Sequence, residues 1–160
     1  ALAGTLTGAN NPAGRLPVTF YRSVDQLPAF DDYAMRGRTY RYFAGDPLYR
    51  FGFGLSYSTF AYSNLKAGIV SGAVRATVRI RNTSSRDGDE VVQLYVSGGT
   101  RETDPIRELK GFQRVYLKAG QSQDVSFTIE ADKYWSPRFV VSVGGGQPVP
   151  GNVFVTMRVK

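Results

Sequence analysis

The sequence predicts an all-β fold: an antiparallel β-sandwich over residues 56–160, preceded by an extended connector. Three observations predict it. Apolar and polar residues alternate with a period of two in several stretches of that region. Clusters of turn-forming residues separate those stretches. No helical period of comparable length accompanies them.

Val74, Ala76, Val78 and Ile80 alternate with Arg75, Thr77, Arg79 and Arg81, the pattern of a half-buried strand with its arginines in water. Asn82 to Asp89 is a turn cluster; Asn82-Thr83-Ser84 also matches a glycosylation sequon, which carries weight only in a eukaryotic secretory setting. Val91 to Val96 is more continuously apolar and reads as a strand covered on both faces. Gly98-Gly99 and Asp104-Pro105 punctuate a loop, and Leu109 to Leu117 resumes strand character. Beyond Ala119-Gly120-Gln121, Val125, Phe127 and Ile129 alternate with Asp124, Ser126, Thr128 and Glu130. Phe139 to Val143, a flexible connection at Gly144-Gly145-Gly146, and alternating Val153, Val155, Met157 and Val159 complete about six or seven strands, the number of a sandwich.

The chain divides near Phe51–Ser56, and residues 1–50 do not read as a domain of their own. Ala1 to Thr7 has the character of a helix end, with Gly8 as its stop. The start at Ala1 reads as a cut or processed end. Arg15 to Tyr21 reads as one extended segment. Ser23 to Ala44 shows no period, yet Tyr21, Phe30, Tyr33, Tyr40, Tyr42, Phe43 and Tyr49 are too many aromatics for a solvated linker. They are expected to pack against a surface, which belongs to another domain or subunit if this chain does not supply it.

The 160 residues include no histidine and no cysteine. Ser-His-Asp triads, imidazole bases, thiolate nucleophiles, disulfides and cysteine or two-histidine metal sites are thereby excluded, and neither metal nor cofactor is expected. No apolar run approaches the roughly 18–20 residues of a membrane span. The net charge of +7 raises nucleic-acid binding, but the excess is dispersed: six arginines face four aspartates up to residue 50, and fourteen basic residues face nine acidic ones after it. Without a basic run, neither nucleic acid nor membrane is expected as a partner.

The carboxylates read as structural. Asp31 and Asp32 are adjacent and point to opposite sides of extended backbone. Asp25, Asp46, Asp87, Asp89 and Glu90 fall in turns, and Glu102, Asp104 and Glu108 sit among arginines in a loop. The connector holds the best candidates for contact with a ligand: Asp32, Tyr33, Arg36, Arg38 and Tyr40, with Asp31 and Tyr42 beside them. Aromatic rings stack on apolar ring faces, and Arg or Asp fixes hydroxyls by charge-assisted hydrogen bonds. A protein interface uses the same residue types, so Arg36, Arg38 and Arg41 also read as partners for carboxylates of other domains, with the tyrosines filling the clefts between. Trp135 beside Tyr134 reads either as a stacking platform or as a core anchor. Gly52-Phe53-Gly54 lacks the third glycine and helix of a dinucleotide site, and the triple glycine lacks the Lys-Ser/Thr of a phosphate loop.

Asn11-Pro12-Ala13-Gly14-Arg15-Leu16-Pro17-Val18-Thr19-Phe20-Tyr21 resembles the segment that ends the α/β-sandwich domain of glycoside hydrolase family 3 enzymes. Gly37-Arg38-Thr39-Tyr40-Arg41-Tyr42-Phe43 and Pro47-Leu48-Tyr49-Arg50-Phe51-Gly52-Phe53-Gly54-Leu55-Ser56-Tyr57 resemble that family's connector into its last domain. Arg81-Asn82-Thr83, Gly88 to Val96, Glu108-Leu109-Lys110-Gly111-Phe112 and Tyr134-Trp135-Ser136 are similar to its fibronectin type III-like domain. The resemblance implies a remnant of an α/β domain over residues 1–22, a connector over 23–55 and a fibronectin type III-like sandwich over 56–160.

It further implies the C-terminal portion of a retaining β-glucosidase or β-xylosidase acting on β-linked oligosaccharide. In that family an aspartate nucleophile sits on a (β/α)₈-type domain and, in many members, a glutamate acid/base sits on the α/β sandwich. Retaining chemistry holds two such carboxyls about 5–5.5 Å apart. Both are expected upstream, so no catalytic residue is assigned here and the chain alone is expected to be inactive. The implied partners are the catalytic domains, in the same polypeptide or in a separate chain after cleavage, with homo-oligomerisation open; the implied location is periplasmic or secreted. A stand-alone carbohydrate-binding, adhesion or nucleic-acid-binding sandwich remains the alternative, the last of these marked by strong salt dependence.

Overall fold

The strongest alternation in the sequence becomes the centre of the first sheet. In this computed structural model, which describes residues 2–99, 101–130 and 139–159, β2 (Ala73–Asn82) lies between β1 (Phe60–Val70) and β5 (Ser122–Glu130), antiparallel to both. Val74, Ala76, Val78 and Ile80 are buried, whereas Arg75, Arg79 and Arg81 stand in solvent and Arg79 pairs with Asp124 across the sheet at 2.8 Å. Burying side chains of this size stabilises by about 1.5–3 kcal/mol each, so the period of two dictates which face turns inward.

The second sheet has the order β4 (Glu108–Leu117), β3 (Gly88–Ser97), β6 (Phe139–Gly144), β7 (Phe154–Val159), all antiparallel. Among the described residues the two sheets hold seven strands, and their facing sides form one core that includes Val92, Leu94, Val96, Val115, Leu117, Val141 and Val143. The all-β antiparallel sandwich read from the sequence is the fold observed. β3 is indeed covered on both faces: Gln93 and Tyr95, which point away from the core, are also buried.

Three details differ from the sequence reading. Alternation does not announce β1, because the chain makes a bulge between Ser63 and Lys66, with Asn64 at a positive φ of 54° that shifts the register. Gly144-Gly145-Gly146 is closely surrounded: added β-carbons would meet the Val153 carbonyl, the Glu90 carboxylate and the Asn152 side chain respectively. The sequon reading of Asn82 also fails. Its side chain is 0% exposed, donates to the carbonyls of Arg86 (2.7 Å) and Leu117 (3.1 Å), and accepts from the Ser84 N–H and hydroxyl. Asn82 thus pins the corner where the chain leaves the first sheet for the second.

Ahead of the sandwich, α1 (Leu2–Leu6) ends before Gly8, whose φ of 78° suits glycine at a helix terminus. The connector contains a 3₁₀ turn at Val24–Gln26 and one helical turn, α2 (Thr39–Tyr42), which no periodicity predicted. Tyr134 and Trp135 lie outside the described residues. No helix among the described residues is long and apolar enough to cross a membrane.

Asn82→Ala removes both ends of the corner bracket and leaves buried carbonyls unpaired, so it should lower the unfolding free energy by about 2–3 kcal/mol in urea titration; an unchanged midpoint would refute the bracket. Asp87 should govern part of the acid limb. The Ala119 N–H and then the Tyr116 hydroxyl stabilise its charged form and hold its pKa below the ordinary value. With the folded value lowered, this stabilisation is complete above the ordinary carboxylate pKa of about 3.9 and is lost as pH falls through the lower one. Asp87→Asn should therefore flatten the fall of Tm below about pH 4.

Candidate functional site

Segments of residues 11–57 run along β3, from Asp87 and Glu90 at its start to Tyr95 near its end. Asn11 is the first point of contact: its amide donates to the Ser58 hydroxyl (2.7 Å) and the Asp87 carbonyl (2.9 Å), and its carbonyl accepts from the Ser56 hydroxyl (3.0 Å) and the Tyr57 N–H (2.8 Å). Gly88 is required beneath it, since a β-carbon there would lie 2.6 Å from both the Asn11 amide and the Ser58 hydroxyl.

A few residues on, Arg15 reaches Glu90 of β3 at 2.6 Å, with both side chains nearly buried. Burial pushes the Glu90 carboxyl up, and the Arg15 guanidinium draws it back down. Tyr62 lies in the same electrostatic neighbourhood, and burial pushes its phenol far up; its hydroxyl has no hydrogen-bond partner among the described residues. The backbone carries the junction outward: Leu16 N–H donates to the Phe53 carbonyl and Gly52 N–H to the Leu16 carbonyl, and Phe20 pairs with Tyr49.

This pairing sorts the aromatic residues of the first fifty positions into two groups. Tyr40 stacks on Phe51 with centroids 4.1 Å apart and meets Tyr95 edge-on, while the Leu109 N–H donates to its hydroxyl. Gln93 donates to the Gly52 and Gly145 carbonyls and accepts from the Tyr95 hydroxyl at 2.7 Å; Gln147 donates to the Phe51 carbonyl. Gly52, at φ 79°, leaves no room for a β-carbon beside Gln93. Tyr40 finds its surface on this chain's own sandwich, Tyr21 and Phe43 pack on each other edge-on, and Tyr42 is half-buried under the Arg41 guanidinium. Other rings turn out. Phe20, Tyr49 and Phe53 form an edge-to-face and tilted row on the solvent side, and with Leu16 and Leu55 (71% exposed) they line an open apolar groove.

The residues read as ligand contacts separate in the same way. Arg38 donates to the carbonyls of Ala29, Asp32 and Ala34, holding residues 28–38 as a closed loop. Asp32 Oδ1 accepts the Ala34 N–H at 2.8 Å. That loop presents Phe30 (97% exposed) and Tyr33 (88% exposed) to solvent; Asp32, Tyr33 and Arg38 line one cleft, and Arg36 lies in another, 3.7 Å from Glu102. Tyr40 is elsewhere, in the stack against β3. Arg41 pairs with Glu108 of β4, so its carboxylate partner lies in this chain. Sequence reading missed Asn11, Arg15, Glu90, Gln93 and Gln147 because their partners are 40 or more positions away.

The carboxylates brought near cations are engaged in structure: Glu90 with Arg15, Asp46 with Arg22 and Arg50, Asp89 with Arg114, Asp104 with Arg101. Among the described residues no three carboxylates converge as a metal site.

Comparison with known proteins accounts for this arrangement. Residues 1–57 match the profile of the glycosyl hydrolase family 3 C-terminal domain, and residues 90–143 match that of the fibronectin type III-like domain. The chain belongs to glycoside hydrolase family 3. It is 40% identical over 139 residues to a xylan 1,4-β-xylosidase of Xylanibacter ruminicola, covering 84% of this chain and 16% of that protein. It is 38% identical over 174 residues to a periplasmic β-glucosidase of Salmonella typhimurium, covering 97% and 22%. The fold superposes on β-glucosidase 3B of Thermotoga neapolitana with a TM-score of 0.83 at 30% identity, over 98% of this chain and 26% of that one. The family 3 chain thus spans roughly a fifth of the length of these curated relatives. Three of the sequence blocks that carried the family resemblance, residues 11–21, 47–57 and 88–96, meet at Asn11 and Arg15.

Arg15→Met strands the Glu90 carboxylate in the sandwich and should cost about 3–5 kcal/mol in denaturant unfolding. Adding Glu90→Gln should restore at least half of that loss, because the uncompensated charge is removed. A loss in the double variant equal to the sum of the Arg15→Met and Glu90→Gln losses would show that the pair is not coupled.

Proposed function

We propose that this chain is the C-terminal portion of a retaining β-glycosidase that removes terminal β-linked glucose or xylose, with the catalytic carboxylates outside residues 1–160. Its work is mechanical: it covers and stabilises the catalytic domains and shapes the rim of their active site. The observation that carries the reading is the uncovered row of Phe20, Tyr49, Phe53 and Leu55 on a chain that matches only 16% and 22% of its glycosidase relatives. An apolar surface of that kind needs a cover, and the catalytic domains are the cover this reading supplies. In this reading residues 1–22 end the preceding α/β domain, 23–55 form the connector and 56–160 form the sandwich.

The loop held by Arg38 is the part that reaches substrate. Tyr33 offers a ring face, and Asp32 and Arg36 offer hydrogen bonds to sugar hydroxyls, whereas Arg38 closes the loop through its carbonyls and Tyr40, stacked on Phe51, stays away from the sugar. Binding energy of this kind acts on substrate and transition state alike, so its loss raises KM.

In the complete enzyme, Tyr33→Ala and Arg36→Ala should each raise KM for aryl β-glucoside or β-xyloside about three- to thirtyfold, equivalent to about 0.7–2 kcal/mol, with kcat little changed. The purified 160-residue chain should release no nitrophenol from either substrate. Hydrolysis by the chain alone would overturn the placement of the catalytic carboxylates; an unchanged KM in both variants would remove the loop from the rim.

A further inference from the structure

A second concave feature lies away from the loop and the apolar row. It is a cleft of about 230 Å³ lined by Thr19, Phe43, Asp46, Arg50, Arg107 and Gln147 among others, at the junction of the N-terminal segment, the connector and the β6–β7 turn. Its charge does not balance. Asp46 is shared by Arg22 and Arg50, each at 2.9 Å. Arg107 lines the same cleft as a further cation, and no carboxylate among the described residues pairs with it; it donates to the Gln147 side-chain carbonyl at 2.9 Å. The guanidinium is about half buried, and burial, with the like charge of Arg50 adding to it and the Tyr95 phenol opposing, lowers its basicity. It nevertheless stays cationic at neutral pH.

A half-buried, uncompensated cation is costly unless something pairs with it. The same cleft contains a second unmet demand: Thr19 Oγ1 is buried and has no hydrogen-bond partner among the described residues. Arg107, which lacks a carboxylate partner, and the unpartnered Thr19 hydroxyl thus belong to one small cleft, beside an Arg50 that Asp46 already engages. Asp46 shows the kind of group this neighbourhood accepts, a carboxylate bridging two arginines.

We propose that this cleft binds a carboxylate between Arg107 and Arg50, with the Thr19 hydroxyl as a third donor. The carboxylate comes either from an acidic side chain of the rest of the enzyme or from a sugar acid on an oligosaccharide. The proposal is independent of where the catalytic residues lie.

The test is calorimetry and thermal unfolding of the 160-residue chain with acetate, D-glucuronate and D-glucose at constant ionic strength. At least one carboxylate should bind with Kd below about 10 mM and raise Tm, and glucose should do neither. Arg107→Gln should weaken binding at least about tenfold and Thr19→Val about threefold, the loss of a charged and a neutral hydrogen bond. Acetate binding as well as glucuronate identifies a protein carboxylate as the natural occupant; glucuronate binding at least about tenfold better identifies a sugar acid. Absence of carboxylate binding overturns the proposal, as does binding that survives Thr19→Val and Arg107→Gln unchanged. Should Arg107→Gln fail to fold, the Thr19→Val result decides alone.

Discussion

The pairing of Arg15 with Glu90 is the interaction on which the arrangement of the first fifty residues depends. Glu90 sits where the two sheets close at one end, and desolvation alone would favour its neutral form. Arg15 supplies the opposite charge, and it comes from a segment that precedes the sandwich by more than forty residues. The cost of burying each charge is met only when both are present, so the N-terminal segment cannot lift from the sandwich without exposing or stranding one of them. From that fixed point geometry follows: the Gly14 carbonyl presses on Gly54, Leu16 pairs with the backbone at 52–53, and Phe20 is delivered opposite Tyr49.

One side of this paired segment must then face out. Gln93, Tyr95 and Gln147 hold the inner side by hydrogen bonds to carbonyls at Phe51 and Gly52 and by the stack on Tyr40. These contacts bury β3 on its second face, where Gln93 meets the Gly52 carbonyl and Tyr95 the Tyr40 ring. The outer side keeps Phe20, Tyr49, Phe53 and Leu55. The connector is thereby half anchor and half open face.

The sandwich was legible because its strands obey one local rule. Val74 to Ile80 and Val125 to Phe127 alternate, and alternation is a property of neighbours in sequence. β1 was not, because Asn64 breaks the period where the strand bulges. The connector was legible only as a surplus of aromatics, and the split between Tyr40 inside and Tyr33 outside depends on contacts with β3 and β4 that no local pattern encodes. Arg38 shows the same limit. Read as a ligand contact, it closes its own loop through carbonyls at 29, 32 and 34, a role that composition cannot separate from binding.

The net charge of +7 acquires a different meaning once the cations are placed. Arg15, Arg22, Arg41, Arg50, Arg79 and Arg114 each face a carboxylate within this chain, so the surplus is not a field spread over one face for a polyanion to follow. Arg75 and Arg81 stand on a wet strand where water solvates them at little cost. Arg107 differs because it combines a charge with partial burial beside a second arginine. Uncompensated charge matters most where water is scarce, and the count of basic residues in a sequence is blind to that distinction.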